Sequence, residues 1–255
     1  MFREIFIDSD HKKKRLDILL VDLDLADSRN KAVSLIMSGK VFFDEKKIDK
    51  SGYIIKSSGL LKVKKDKTWV SRGGLKLDHA IKAFKLNVYN RICLDVGCSS
   101  GGFSNVLLDR NAKFVYGVDV GYGQIDLKIR NNERFKIFER TNVKNLDKVF
   151  SKKIIDFVVC DVSFISLKKA IPPVLEFIKK NGYLCLLIKP QFEVEKNYLS
   201  KGGVVKDDLK HKEVFDEIRF FFEKNCNLIF KSKCESPIKG QKGNKEFFIL
   251  MTKNY

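Results

Sequence analysis

The fold of this chain is decided by Ile92-Cys-Leu-Asp95-Val-Gly97-Cys-Ser-Ser-Gly101-Gly102-Phe103. The pattern indicates a buried strand, then an acidic residue, then a glycine-rich turn that opens a helix. Glycine lacks a Cβ and therefore suits a backbone that turns tightly or approaches a ligand closely. The acid and the glycines follow the spacing D-x-G-x-S-x-G, which is not the G-x-G-x-x-G of dinucleotide-binding folds. The stretch predicts either a loop for a small ligand other than a dinucleotide or a purely structural turn of an α/β fold.

Apolar strand-like runs alternate with helical segments on both sides of this stretch. We predict strands at Arg91–Val96, Phe114–Asp119, Phe135–Glu139, Ile155–Cys160, Tyr183–Lys189, Asn227–Lys233 and Phe247–Thr252, and helices near 74–86, 102–110, 123–131, 166–179 and 208–224. Such alternation predicts a parallel sheet with helices on both faces. Because the last two strands are joined by a loop, one of them is expected to be antiparallel. Residues 73–255 are therefore predicted to form a Rossmann-like, seven-stranded, mostly parallel α/β domain.

Residues 1–65 differ from the rest and predict a small α+β domain, with residues 66–72 as a linker that contains Trp69. Two helices are expected, at Lys12–Leu20 and Ser28–Ser38, the second with Ser28 as N-cap and Gly39 as C-terminal stop. Two short strands are expected at Val41–Phe43 and Leu60–Lys64. A module of this size buries little apolar surface alone.

The composition favours a polyanionic partner. Fifty Lys and Arg against 32 Asp and Glu give a net charge of +18, and a basic surface attracts nucleic acid such as RNA. A solvated, lysine-rich surface is the alternative, because the excess is spread along the chain. Residues 1–65 hold 15 basic and 10 acidic residues, so charge alone does not locate an RNA site.

The cysteines and the apolar runs indicate the cellular compartment in which the protein is expected. The six cysteines contain no C-x-x-C pair, so neither a disulfide framework nor a zinc site is expected. Reduced thiols fit a cytoplasmic protein. The N-terminus is charged throughout and lacks a signal-peptide core. The longest apolar run, Tyr183–Ile188, has six residues, far fewer than a membrane span needs, and we expect a soluble protein.

Polar side chains follow successive predicted strands. Asp95, Asp119, Asn142 and Asp161 each stand at or just after the end of a strand. In doubly wound sheets, ligands lie outside the carboxyl ends of the strands, and an acid after the second strand accepts hydrogen bonds from the ribose hydroxyls of a cofactor. We therefore expect these residues to line one crevice. For Asp119, a helix N-terminal acid is the alternative.

Lys189 ends the fifth predicted strand, beside the strand that leads to Asp161. A lysine that leaves an apolar strand is partly desolvated, which favours the neutral amine that can act as a base. An ordinary solvated lysine is the alternative. Lys76 at the start of the sheet domain and Glu246 at the entry to the last strand are further candidates, and for Glu246 a surface hairpin is the alternative.

Two sets of motifs resemble known families. The pattern Arg15-Leu-Asp…Ser28-Arg29…Gly39-Lys40-Val41 resembles the small RNA-binding domain of a ribosomal small-subunit protein and of pseudouridine synthases, and a simple capping subdomain is the alternative. The longer set resembles the TlyA family, whose members are described both as hemolysins and as ribosomal RNA 2′-O-ribose methyltransferases. This set comprises Thr-Trp69-Val-Ser-Arg72-Gly-Gly-Leu-Lys76, Asp119-Val-Gly-Tyr-Gly-Gln124, Asp161-Val-Ser-Phe-Ile-Ser-Leu167, Lys189-Pro-Gln-Phe-Glu193, Gly202-Gly-Val-Val205 and Ser236-Pro-Ile…Gly243-Asn-Lys-Glu246.

The resemblance implies a set of site residues. The catalytic domain of that family is similar to the FtsJ type, whose Lys-Asp-Lys-Glu set corresponds to Lys76, Asp161, Lys189 and Glu246. The cofactor is S-adenosylmethionine, and the residues expected to bind it are Asp95, Gly97, Cys98, Ser99, Ser100, Gly101, Gly102, Phe103, Asp119, Asn142 and Asp161. The residues expected to bind RNA are Arg15, Arg29, Lys31, Lys40 and Arg72. One departure is Cys98-Ser-Ser100, where Ala-Ser-Thr is more usual, and it bears on cofactor affinity.

The expected chemistry is methyl transfer to a ribose 2′-hydroxyl of ribosomal RNA, at cytidine. A hydroxyl is a poor nucleophile, and a positioned base contributes about 10²–10⁴-fold. Neutral Lys189 is expected to take the proton, with Lys76 favouring neutrality by like-charge repulsion. Asp161 is expected to orient Lys189, and Glu246 to hold Lys76 or the ribose. No metal is expected to take part.

Two other functions are compatible with parts of the sequence. A membrane-active hemolysin needs a long apolar span or a lytic amphipathic helix, whereas Phe215, Phe220, Phe221 and Phe222 are expected to form a core face. A non-catalytic ribosome-binding factor would keep the fold without needing the four catalytic residues. The partner in either RNA-related case is ribosomal RNA within ribosomal subunits.

Overall fold

The computed structural model describes residues 2–8, 11, 13–64, 68–148, 150 and 154–254. The chain forms two compact units, which divide between Thr68 and Trp69. Lys12 of the first predicted helix and residues 66 and 67 of the predicted linker lie outside the described residues. Residues 69–72, which the sequence analysis assigns to the linker, belong to the second unit. Trp69 and Val70 pack against its apolar core, and the Val70 N–H donates to Asn105 Oδ1 at 3.1 Å.

Helices and strands alternate along most of the chain. The strands are β1 (Phe2–Ile7), β2 (Val41–Phe43), β3 (Lys46–Ile48), β4 (Gly59–Lys64), β5 (Ile92–Val96), β6 (Phe114–Val118), β7 (Phe135–Phe138), β8 (Ile155–Cys160), β9 (Ile178–Ile188), β10 (Leu228–Glu235) and β11 (Phe247–Lys253). The helices are α1 (Leu16–Asp22), α2 (Arg29–Met37), α3 (Gly73–Ala83), α4 (Gly102–Asp109), α5 (Leu127–Arg130), α6 (Leu167–Ala170) and α7 (Asp208–Asn225).

The first unit is a four-stranded antiparallel sheet, in the order β1-β4-β2-β3, with helices α1 and α2. The predicted strand Val41–Phe43 and the N-cap Ser28 are confirmed, since the Ser28 side chain accepts from the Lys31 N–H. Helix α2 ends at Met37 and Gly39 follows, as predicted. Strands β1 and β3 were not predicted. Both are edge strands with mostly exposed side chains, so they lack the apolar run on which a strand prediction depends.

The second unit is a seven-stranded sheet in the order β10-β11-β9-β8-β5-β6-β7. Strands β5 to β9 pair in parallel, and β11 pairs antiparallel with both β9 and β10. This confirms the predicted mostly parallel α/β sheet. Two apolar clusters lie against the sheet. The strand order reverses at β5, where the chain first proceeds to β6 and later returns on the other side to β8, and such switch points form ligand crevices.

Three predicted helices are wrong in their extent. The helix expected at Lys12–Leu20 is α1, which begins only after the N-cap Arg15. The helix expected at 123–131 is the single turn Leu127–Arg130, which begins after the N-cap Asp126. The helix expected at 166–179 is α6 followed by a 3₁₀ turn at Pro172–Phe177. Adjacent prolines at 172 and 173 lack the N–H that an α-helix requires. Strand β9 then begins at Ile178, which pairs with Ile155.

Helix α7 carries the phenylalanines that were expected to form a core face. Phe215 and Phe222 are buried as expected, but Phe220 is 62% exposed, so the expectation is wrong for that residue. Within the described residues, the structure has no helix with the length and apolarity that crossing a membrane requires.

Candidate active site

A groove crosses the carboxyl ends of the strands at the switch point. It consists of two adjoining clefts of about 260 Å³ and about 430 Å³. The residues common to both clefts are Gly97, Ser99, Asp161, Ser163 and Gln241. The glycine-rich loop thus lies where the two clefts meet, between the cleft lined by Lys189 and the cleft lined by Asp119.

The glycine-rich loop approaches its neighbours too closely for a side chain at its first glycine. Gly97 has φ +75°, and a Cβ there would lie 3.0 Å from the carbonyl oxygen of Asp161. The loop is fixed from the β6 side by Asp119, whose Oδ2 accepts from the Ser99 N–H at 2.8 Å and whose Oδ1 accepts from the Gly121 N–H at 2.8 Å. Ser99 also reaches Gln124, with 3.2 Å between Oγ and Oε1. The groove is therefore shaped by the protein's own hydrogen bonds.

Asp95 lies beneath the loop and is fully buried. Its Oδ2 accepts from the backbone N–H and the hydroxyl of Ser104, at 2.9 and 2.7 Å. Its Oδ1 is buried and has no hydrogen-bond partner within the described residues. Burial raises the pKa of Asp95 to about 7, and the nearby charges of Asp161 and Asp119 add to the rise. Asp95 therefore anchors the first turn of α4 and belongs to a converging set of three acids.

These acids provide a test of whether the groove suits S-adenosylmethionine. That molecule carries a sulfonium and an ammonium cation, and opposite charges nearby stabilise a cation in a partly buried site. Gly97 lines both clefts of the groove, and its lack of a side chain allows the loop to pack against the Asp161 carbonyl oxygen. Asp119 uses each carboxylate oxygen once for the loop, and a carboxylate oxygen has a second lone pair to offer. The residues present fit the cofactor.

The remaining predicted cofactor residues contribute in different ways. Cys98 and Phe103 have side chains buried in the apolar core, and both residues line the cleft that contains Lys189, together with Ser100 and Gly102. Gly101 is the N-cap of α4. Asn142 lines the cleft that contains Asp119, and its Oδ1 accepts from the Lys144 N–H at 3.0 Å. The two glycines contribute backbone alone.

The four predicted catalytic residues form two ion pairs. Lys189 Nζ lies 2.6 Å from Asp161 Oδ1 and donates to the Ser163 hydroxyl at 2.8 Å. Lys76 Nζ lies 2.6 Å from Glu246 Oε2, and both side chains are nearly buried. Lys76, Asp161 and Lys189 line the same cleft. Glu246 offsets the charge of Lys76. The expected like-charge repulsion between Lys76 and Lys189 is therefore weakened.

Two of the motif loops are joined by Glu193. Its carboxylate accepts from the Ser166 hydroxyl at 2.5 Å and from the Leu167 N–H at 2.8 Å. Burial raises the pKa of Glu193. The loop after β8, which carries Asp161, is thus tied to the loop after β9, which carries Lys189.

The loop between β10 and β11 closes over the second ion pair. Gly240 has no space for a Cβ, because the Glu246 carboxylate occupies that position. Arg72 donates to the Lys239 carbonyl oxygen at 3.2 Å. Asn244 is buried and bonds the carbonyl oxygens of Gly203 and Gln241 and the Val205 N–H. The loop that presents Glu246 is therefore held from both sides.

Of the residues predicted to bind RNA, four lie in the first unit and Arg72 lies in the second. Arg15 and Arg29 are both exposed and share the buried carboxylate of Asp17. Lys31 is exposed, and Lys40 is half-buried. The structure thus brings Arg15 and Arg29 together, and no equivalent ion pair is recorded for Lys31 within the described part of the chain.

Sequence reasoning missed Ser163 and Gln124 in the groove, and Asp17 beside the two arginines of the first unit. Ser163 contacts Lys189, Gln124 contacts Ser99, and Asp17 contacts two arginines. Ser163 and Gln124 lie within the quoted motifs, two residues after Asp161 and five after Asp119, which was an available signal. Asp17 also follows Arg15 in a quoted motif, but its burial could not be read from the pattern. Within the described residues, no cluster of three His, Cys, Asp or Glu side chains is arranged to hold a metal.

The chain is similar to known proteins over most of its length. The family model of the FtsJ-like methyltransferase matches residues 69–253, and that of the S4 domain matches residues 14–60. The 16S/23S rRNA (cytidine-2′-O)-methyltransferase TlyA of Mycobacterium tuberculosis is 39% identical over 243 residues, which cover 94% of this chain and 90% of that protein. Hemolysin A of Brachyspira hyodysenteriae is 38% identical over 236 residues, which cover 91% of this chain and 97% of that protein.

The chain is also similar to a solved structure. The crystal structure of a candidate hemolysin from Lactococcus lactis matches with a TM-score of 0.70 and 39% identity, and the match covers 74% of this chain and 90% of that one. The likeness over 94% of the chain and the two matched domains agree with the resemblance found from the motifs. This chain belongs to the TlyA family of FtsJ-like methyltransferases.

Proposed function

We propose that this protein methylates the ribose 2′-hydroxyl of cytidine in ribosomal RNA, with S-adenosylmethionine as the methyl donor. The single observation that carries the proposal is the pairing of Lys189 with Asp161 beside the glycine-rich loop, in the cleft that Lys76 also lines. The M. tuberculosis relative bears the corresponding name. The cytoplasm, where ribosomal subunits are found, is the proposed place of action, and no role is assigned to a metal.

The roles of the residues follow from their positions. When bound, S-adenosylmethionine supplies an electrophilic methyl group on its sulfonium. Lys189, in its neutral form, accepts the proton of the 2′-hydroxyl at Nζ. Asp161 and Ser163 hold Nζ in place from two sides, at 2.6 and 2.8 Å. Alignment of the two reacting groups supplies much of the rate enhancement in such a transfer.

The second ion pair has a supporting role in the proposal. Glu246 fixes the Lys76 ammonium at the cleft wall, where a fixed cation orients the oxygen atoms of a ribose-phosphate segment. The loop over Glu246 adds Lys239 and Gln241 to the wall of the same cleft. In this proposal residues 1–65 bind RNA and residues 73–255 carry out the transfer.

The proposal is tested by incubating the full chain with labelled S-adenosylmethionine and separately purified, unmodified small and large ribosomal subunits. The labelled nucleotide is then mapped. Label at a ribose 2′-oxygen of cytidine, lost in Lys189→Ala, supports the proposal and identifies the subunit. Intact cofactor binding with no transfer to either subunit contradicts it and favours a binding factor. Leakage from liposomes at the same protein concentration would favour the hemolysin function.

A further inference from the structure

Asp17 is an acidic residue in the middle of a surface expected to bind a polyanion. Its side chain is 2% exposed, whereas those of Arg15 and Arg29 are 46% and 59% exposed. A carboxylate at such a place lowers the local positive charge. Simple electrostatics therefore predicts that its removal strengthens RNA binding.

The contacts of Asp17 indicate another role. Its Oδ2 accepts from Arg15 Nη2 and from Arg29 Nε, both at 3.0 Å, and its Oδ1 accepts from Arg15 Nε at 3.1 Å. Two guanidinium nitrogens that lie 3.0 Å from the same oxygen atom are at most about 6 Å apart. Arg15 directly precedes α1 and Arg29 begins α2, and the two cations are thereby held side by side.

The backbone fixes the carboxylate itself. The Ile18 N–H donates to Asp17 Oδ1 at 3.1 Å, and the Asp17 N–H donates to the Ser51 carbonyl oxygen at 3.2 Å. The hydrogen bond from Arg15 is the main cause that holds the pKa of Asp17 at about 2. The carboxylate is therefore ionised at any pH at which the protein works.

Both arginines keep donors for a ligand. A guanidinium has five N–H donors, and the bonds to Asp17 use two of those of Arg15 and one of those of Arg29. Two guanidiniums and one carboxylate carry a net charge of +1, which matches the single negative charge of a phosphodiester. Arginine binds phosphate through paired N–H donors in a fixed plane, so its orientation determines the strength of the contact.

We propose that Asp17 is a positioning residue that holds Arg15 and Arg29 as a two-armed site for one backbone phosphate of folded RNA. This inference rests on the proposed function for the choice of RNA as ligand. Asp17 does not touch the phosphate. It fixes both guanidiniums before RNA arrives, so that less side-chain freedom is lost on binding.

The test measures binding of the full chain to unmodified ribosomal RNA as a function of salt, for the wild type and Asp17→Asn. Asparagine has a similar shape but removes the charge that holds two arginines. We expect RNA affinity to fall about fivefold to tenfold and the slope of log K against log salt to lose about one unit, as for one lost phosphate contact. Affinity that is unchanged or higher in Asp17→Asn overturns the proposal.

Asp22→Asn is the matched control. Asp22 also lies on α1 and pairs with one lysine, Lys14, at 2.8 Å, but its side chain is 39% exposed. This variant has the same charge change and is expected to bind RNA as tightly as the wild type or more tightly. A loss equal to that of Asp17→Asn would show that the loss does not depend on the arginine pair, and would overturn the proposal.

A second measurement separates positioning from folding. In the Arg15→Gln/Arg29→Gln background, Asp17→Asn is expected to cause no further loss of affinity. An undiminished loss there would mean that Asp17 acts through the fold, which also overturns the proposal. Methyl transfer by the wild type is measured on the same RNA. Its absence would refute the proposed function, while the phosphate site would still be judged by the binding data.

Discussion

Lys76 and Glu246 are 170 residues apart in the chain, yet their side chains form an ion pair of 2.6 Å that is almost fully buried. Removal of one partner leaves an uncompensated charge in the interior, which typically costs about 3–5 kcal/mol. We therefore expect Lys76→Met to lower the free energy of unfolding of the second unit by roughly that amount. Urea unfolding followed through Trp69, the single tryptophan, measures it.

The double variant Lys76→Met/Glu246→Leu provides the control for that prediction. Replacing both charges by apolar groups removes the unpaired carboxylate, and stability is expected to return most of the way. Methyl transfer is expected to remain lost in both proteins. Recovery of activity together with stability would show that the pair serves the fold alone.

Lys189→Ala is expected to reduce methyl transfer by about 10²-fold or more, because a positioned base contributes about 10²–10⁴-fold. Single-turnover rates with labelled cofactor measure the loss. Lys189 does not line the cleft that contains Asp119, so calorimetric binding of S-adenosylmethionine is expected to stay within about threefold of the wild type. Transfer at the wild-type rate would exclude Lys189 as the base.

Ser163→Ala removes one of the two groups that hold Lys189 Nζ. A hydrogen bond of this kind is worth about 1.5 kcal/mol, so kcat is expected to fall about tenfold, with little change in KM for the cofactor. Ser163→Thr keeps the hydroxyl and is expected to retain most of the rate. If the threonine variant is as slow as the alanine variant, the hydroxyl is not the group that matters.

Gly240→Ala places a methyl group where the Glu246 carboxylate lies. The carboxylate or the loop must shift, and we expect a loss of activity of about tenfold or more, since small displacements in an active site are costly. Gly202→Ala is the matched control, because its Cβ would meet only Val204 Cγ2 at 3.8 Å. Steady-state rates of methyl transfer by both variants test this prediction. Equal activity of the two variants would contradict the expected crowding at Gly240.

The raised pKa of Asp95, about 7, predicts a pH dependence of stability. An ordinary unfolded-state Asp has a pKa near 3.9, so the contribution of Asp95 is fully present below about pH 4 and is lost as the pH rises through about 7. Asp95→Asn cannot ionise. The stability of this variant relative to the wild type is therefore expected to increase with pH, by at most about 1.4 kcal/mol per unit. Urea unfolding at several pH values between 4 and 8 measures the difference, and a constant difference would contradict the prediction.

The sequence predicts the structure correctly where a local pattern determines it. The buried run before Asp95 and the glycines after it indicate a strand, a turn and a helix, and β5 and α4 lie there. The alternation of apolar runs implied the parallel strands, and the carboxyl ends of such strands meet at one edge. For this reason Asp119, Asn142 and Asp161 line one groove as expected, whereas the expectation is wrong for Asp95, which is fully buried beneath the loop and lines neither cleft.

Other features depend on contacts between distant parts of the chain. Strand β1 pairs with β4 across more than fifty residues, and its exposed side chains give no apolar periodicity. The sharing of Asp17 by Arg15 and Arg29 arises only when α1 and α2 pack together. The contact between Lys189 and the Ser163 hydroxyl depends on the path of the loop at 161–167. Phe164 in this loop has φ +65°, and no short-range sequence pattern predicts that path.

The Glu193 carboxylate that joins the loops after β8 and β9 has a consequence for engineering. A transplant of residues 189–193 into a related scaffold would carry Lys189, the proposed base, but leave behind the Ser166 hydroxyl and the Leu167 amide that anchor Glu193. The loop after β8 and the loop after β9 form one structural unit. Exchange between homologues is therefore expected to preserve the site only when both loops are transferred together.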